Sequence, residues 1–221
     1  MDQPEACAES LNGASDDVVH TGFRSAESGL KETAQDSVNT VRLQNVLNKA
    51  LKLREAGNHA YRAGDYQLST QIYGDASYDI VQLKGLRHLG AIPSDDWNFV
   101  QTITEMQFKV YSNEAASWLK YGSYTPEDGE VTRFQKAFTR TERALEALED
   151  HPTAWKPSDG EMAKLLYRRA LACDGLEDYN AAFEEVEKAH QLAPADAIIC
   201  KLQSRINGIR EFGSLIFSGG N

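Results

Sequence analysis

The chain has 221 residues, 41% hydrophobic and 25% charged, which is enough for one domain with a real core plus a tail. Its formal net charge of −10 argues against a nucleic-acid partner, because phosphate backbones are bound by a surplus of Lys and Arg. No apolar run approaches the roughly 18–20 residues of a membrane span, and the N-terminus has neither a basic start nor the apolar stretch of a secretory signal.

Residues 1–40 carry eight acids (Asp2, Glu5, Glu9, Asp16, Asp17, Glu27, Glu32, Asp36) against Arg24 and Lys31, a net −6 of the total −10. Their only aromatic is Phe23, so this segment has little apolar surface to offset the entropy of ordering and is predicted to be an acidic, disordered tail. From Val41 the pattern turns helical and holds to about Ile216. The predicted helices are Val41–Ala63, Tyr66–Leu89, Asp95–Tyr121, Glu130–Leu148, Asp159–Asp174, Tyr179–Leu192 and Ala195–Ile216. Gly64-Asp65 is a turn, and Ile92-Pro93-Ser94-Asp95 and Pro157-Ser158-Asp159 each put a capping residue ahead of a helix. Cys7, Cys173 and Cys200 are odd in number and widely spaced, so with no export signal they are expected as reduced thiols in a cytoplasmic protein. No pair of them has metal-ligand spacing near a His, and no cofactor or metal is expected.

An internal repeat organises the helices. In LREAGNHAYRAGDYQLSTQIYGDA, from Leu53, the small residues Gly57 and Ala60 precede Tyr66, Ser69, Tyr73 and Ala76. In LYRRALACDGLEDYNAAFEEVEKAHQLAP, from Leu166, Ala170, Cys173, Tyr179, Ala182, Val186, Ala189 and Pro194 hold the corresponding places. Both resemble the tetratricopeptide-repeat (TPR) signature, in which small residues admit the large ones of a partner helix. A stretched middle repeat pairs VYSNEAASWLKYGSY with FQKAFTRTERALEAL, with Ala115, Ala137 and Ala144 at the close-packing positions. Gly57, Ala115 and Ala170 are 58 and 55 apart, so about 24 and 21 residues are added to a unit of about 34. The first addition is assigned to lengthened helices through Ile80–Leu89 and Trp97–Gln107, the second to a loop at Thr125–Gly129 and a tether at Asp150–Ser158.

The resulting expectation is an all-α, right-handed TPR solenoid over residues 41–217. It comprises three helix pairs with extended helices (repeats about 50–83, 107–148 and 163–194) and a capping helix over 195–216. The extended helices resemble the TPR domains of large immunophilins, and IVQLKGL after the first repeat is similar to the small tetratricopeptide-repeat protein 9 group.

TPR domains that receive chaperone tails use a dicarboxylate clamp, and the chain carries residues that resemble it. Arg54 and Asn58 lie on the first helix, Asn113 in YSNEAA on the third, and Lys164 and Arg168 in AKLLYRRA on the fifth. Each pair is four apart and so shares a helix face. Three cations and two amides suit a peptide ending in Asp, whose side chain and terminus present two carboxylates. The resemblance implies that Arg54, Asn58 and Asn113 hold the terminal carboxylate, and Lys164 and Arg168 the Asp side chain and peptide backbone. It implies a monomeric, non-enzymatic co-chaperone or adaptor binding the Glu-Glu-Val-Asp tail of heat-shock protein 90 or heat-shock protein 70.

A different reading is a scaffold whose groove holds an internal peptide or helix of a cytoskeletal or ciliary assembly, for which no free C-terminus is needed. No phosphate loop or nucleophile motif is present, and His59, His88, His151 and His190 are scattered without an organised acid or nucleophile. Arg169 is expected to face a neighbouring helix or an acid, and Phe212, Leu215, Ile216 and Phe217 to cap the solenoid's end.

Overall fold

The computed structural model describes residues 41–88, 97–121 and 130–218. The chain divides into Met1–Arg42 and Leu43–Asn221, and of the first unit only Val41 and Arg42 are described, as the opening of a helix. The expected acidic tail, the Ile92–Asp95 cap and the Thr125–Gly129 loop lie outside the described residues. Seven helices are present among those described: α1 over 41–62, α2 Tyr66–His88, α3 Trp97–Lys120, α4 Glu130–Asp150, α5 Asp159–Gly175, α6 Tyr179–Leu192 and α7 Ala197–Ser218. No strand occurs among the described residues, and the helix bounds fall within two residues of the spans predicted from the sequence.

Periodicity explains which faces are buried. Leu43, Leu47 and Ala50 of α1 pack with Tyr73, Ala76, Ile80 and Leu83 of α2 and with Ile103, Met106 and Val110 of α3. All recur at three or four, the spacing of one helix face. The helices are lengthened as expected, and their added stretches pack on each other through Ile80, Leu83, Ile103 and Met106. Gly57 is required where α1 crosses α2: a Cβ there would lie 2.8 Å from Tyr73 Cε1. That close approach lets Ser69 Oγ donate to Gly57 O at 3.1 Å and pair with Ser117 Oγ at 2.8 Å, tying α1, α2 and α3 together.

The turns carry their own chemistry. Gly64 adopts φ +82, and the Asp65 carboxylate caps α2 by accepting from Leu68 N at 3.0 Å. Ser158 caps α5 in a full capping box with Glu161, as its position ahead of the helix suggested. Further along, Ala163, Leu166, Ala170 and Cys173 of α5 pack with Ala182, Val186 and Ala189 of α6. Ile199, Leu202 and Ile206 of α7 cover that face. A third cluster (Phe108, Tyr111, Ala144, Leu165) joins α3, α4 and α5. α7 runs through the FGSLIF stretch to Ser218, but the side chains of Phe212, Leu215, Ile216 and Phe217 lie outside those described.

Besides chain neighbours, α3 also touches α5. This is the stacking of first helices that a helical solenoid requires, and it turns one face of α1, α3 and α5 toward common space.

Candidate functional site

That common space is a cavity of about 310 Å³, lined by Arg54 and Asn58 of α1, by Phe108, Lys109, Ser112 and Asn113 of α3, and by Glu161, Lys164 and Arg168 of α5. All five residues singled out from the sequence therefore line one cavity. The cause is simple: each pair is one helical turn apart, and the three first helices lie side by side.

The polar contacts within it are specific. Tyr73 reaches across from α2 and its hydroxyl donates to Asn58 Oδ1 at 2.6 Å, while burial pushes its pKa up to about 12. Asn113 Nδ2 donates to the same Asn58 oxygen at 3.0 Å. Arg168 donates from Nη1 to Ser112 O at 2.9 Å and to Ser112 Oγ at 2.5 Å. Burial pushes the Arg168 guanidinium below its ordinary range, with the nearby Tyr61 and Tyr73 hydroxyls opposing the shift. Among the described residues no carboxylate pairs with Arg168 or with the exposed Lys164. Arg168 is half-buried, and among the described residues its guanidinium is held by neutral groups alone.

Arg54 is differently placed. Its Nε and Nη2 donate to Glu55 Oε1 at 3.2 and 2.8 Å. Those bonds, followed by one from Asn58, hold the Glu55 carboxyl below the usual carboxylate range.

Four lining residues were not singled out from the sequence. Lys109 is a fourth cation, 2.6 Å from Glu105 and 3.6 Å from Glu161, with its ammonium 5.7 Å from the Trp155 ring centroid. A signal for it existed: Lys109 precedes Lys164 by 55 residues, the same interval that separates Asn113 from Arg168 and Ala115 from Ala170. Ser112 is buried and appears only as the support of Arg168. Glu161 is the cap acid of α5, and Phe108 packs on Trp155 with ring centroids 5.3 Å apart.

A second pocket of about 360 Å³ shares Lys164 and Arg168 with the first. Its walls are mostly apolar, with Tyr61, Leu119, Tyr167, Leu171, Ile198 and Ile199 among them. Elsewhere, Arg169 does meet acids, Glu142 at 4.0 Å and Glu185 at 3.7 Å, and it lies over the Phe138 ring. His190 Nδ1 lies 3.7 Å from the Cys200 Sγ. No group of side chains suited to a metal, and no helix long and apolar enough to cross a membrane, is found among the described residues.

The sequence matches no protein-family model. In structure the chain is similar to the C-terminal TPR-containing domain of a Plasmodium falciparum FK506-binding protein. The TM-score is 0.57 and the identity 16%, over 78% of this chain and 95% of that one. A TPR-like protein of Chlorobium tepidum aligns with a TM-score of 0.46 at 13% identity, over 77% of this chain and 98% of that one, a likeness too distant to carry weight. At its level of identity the first comparison shows the fold. The chain is an all-α TPR solenoid.

Proposed function

We propose that this chain is a protein-binding adaptor that holds the C-terminal tail of a heat-shock chaperone, heat-shock protein 90 or heat-shock protein 70, in the α1–α3–α5 cavity. The observation that carries the reading is Arg168, a half-buried guanidinium that forms no ion pair among the described residues, beside an exposed and equally unpaired Lys164. A peptide ending in Asp supplies two carboxylates at close quarters. Lys164 and Arg168 take the Asp side chain, and Arg54, Asn58 and Asn113 take the terminus through charge-assisted bonds. The adjoining apolar pocket receives an upstream Val or Met side chain. This is binding chemistry, with no bond made or broken, and it suits a cytoplasmic monomer.

A Met-Glu-Glu-Val-Asp peptide is expected to bind with micromolar affinity, roughly −8 kcal/mol. Amidating its C-terminus leaves the terminal donors mismatched and should cost about 1.5–3 kcal/mol, or roughly tenfold to a hundredfold. Lys164→Ala should cost a similar amount, and because Lys164 is exposed its loss should leave folding intact. His190→Ala should bind as the unaltered chain does. Titration calorimetry with the free-acid and amidated peptides decides the matter. Equal binding of both forms, or binding of neither, would replace this reading with a scaffold that takes an internal segment.

A further inference from the structure

The cations around the cavity are not equivalent. Among the described residues no carboxylate forms an ion pair with Lys164 or Arg168, although Glu161 and Asp196 line the same pockets, whereas Lys109 is paired with Glu105 and Glu161. Arg54 is occupied in a more telling way. The Glu55 carboxylate accepts Arg54 Nε and Nη2 on Oε1 and Asn58 Nδ2 on Oε2, the last at 3.4 Å. It thus engages two of the three groups assigned above to the ligand's terminus. The third, Asn113, spends an amide hydrogen on Asn58 Oδ1. The α1 side of the cavity is therefore a chain of hydrogen bonds that ends on a resident carboxylate.

That carboxylate is free to leave. Adjacent helix residues diverge by about 100°, so Glu55 meets Arg54 from the rim and does not itself line the cavity. Its side chain is 59% exposed, against 23% for Arg54. On release it returns to water with little change in solvation, while Arg54 stays at the wall.

We propose that Glu55 is a built-in competitor for the ligand's terminal carboxylate. This rests on the clamp reading above. Glu55 keeps Arg54 and Asn58 satisfied while the cavity is empty and yields when a chain terminus docks. A neutral C-terminal amide or a backbone carbonyl does not displace it and binds with Glu55 still in place, so Glu55 lowers affinity for a true C-terminus alone and moderates the preference for a free acid over its amide.

The test is a calorimetric cycle with the Met-Glu-Glu-Val-Asp free acid and its C-terminal amide, against the unaltered chain, Glu55→Gln, Arg54→Ala and the double variant. Glu55→Gln is expected to bind the free acid about three- to fivefold more tightly, the scale of one exposed ion pair. It should leave amide binding unchanged, and the gain should vanish in the Arg54→Ala background. No gain, a loss, or an equal gain for the amide would overturn the competitor role. In each of those cases a preference of the unaltered chain for the free acid would leave the clamp intact. If the unaltered chain binds both peptides equally or neither, the clamp reading itself fails and Glu55 has nothing to compete with.

Discussion

Glu114 shows how one buried residue can set a pH dependence. Its side chain is 2% exposed, with Arg140 at 2.8 Å, Ser77 Oγ at 3.1 Å and Trp118 Nε1 at 3.4 Å. Burial pushes its carboxyl above the ordinary value of 4.5, and Arg140 opposes the shift without cancelling it. Between that value and the raised one, the folded state holds a proton that the unfolded chain has released. Stability therefore falls as pH rises through the window. Glu114→Gln should flatten this slope, measured as urea midpoints from pH 4 to pH 8, and an unchanged slope would show that the carboxyl does not titrate as argued. None of this was legible in the sequence, where Glu114 is simply the residue after Asn113. That the five residues singled out share one cavity was legible, because Arg54/Asn58 and Lys164/Arg168 each announce a shared face by their spacing of four. Glu55 was not, since neighbours in sequence point to different sides of a helix and only the structure shows the side chains turning to meet.

At the scale of elements, the sequence told most about where helices begin and end. Punctuation is local chemistry: the cap expected ahead of α5 is Ser158, and Asp65, read as a turn residue, and Asp178, not singled out, also cap the helices they precede. Two turns of the same design differ at one position. Gly64 stands before Asp65-Tyr66 and Glu177 before Asp178-Tyr179, and both have positive φ, +82 and +62. Glycine takes that conformation freely, whereas a residue with a Cβ is strained there by about 1–2 kcal/mol. Part of that strain is offset because glycine loses more freedom on folding. Glu177→Gly is thus expected to stabilise the chain by about 0.5–1 kcal/mol, read as a higher denaturant midpoint with an unchanged slope. A lower midpoint would mean that the Glu177 side chain holds the α5–α6 turn in a way its backbone does not reveal. Less legible was the tether between α4 and α5: no periodic pattern marks Trp155, yet it packs on Phe108 beside the cavity.

At the scale of the whole fold, the core is not one body of apolar side chains. One cluster holds α1, α2 and α3, another holds α5, α6 and α7, and the small group around Phe108, Tyr111, Ala144 and Leu165 joins them. Stacked repeats touch mainly their neighbours, so stability is the sum of local units and their interfaces. The cavity, by contrast, draws on the first, third and fifth helices together. A peptide seated there is a clasp: it can close only when both halves are docked, and it holds them docked while it stays. The stabilisation it confers, about 2.7 kcal/mol at a free concentration a hundred times its Kd, should accrue to the junction between the clusters. Thermal unfolding of the free chain is then expected to be broad, with the α5–α7 end and the α1–α3 end melting at separate temperatures. With the free-acid peptide the two should merge into a single sharper transition at higher temperature, visible by calorimetry as van't Hoff and calorimetric enthalpies drawing together. A ligand that merely coated one repeat would raise one step and leave the other where it was. On this account the chaperone tail would be more than cargo for the solenoid: it would be the removable tie rod that makes a chain of separable segments behave as one rigid piece.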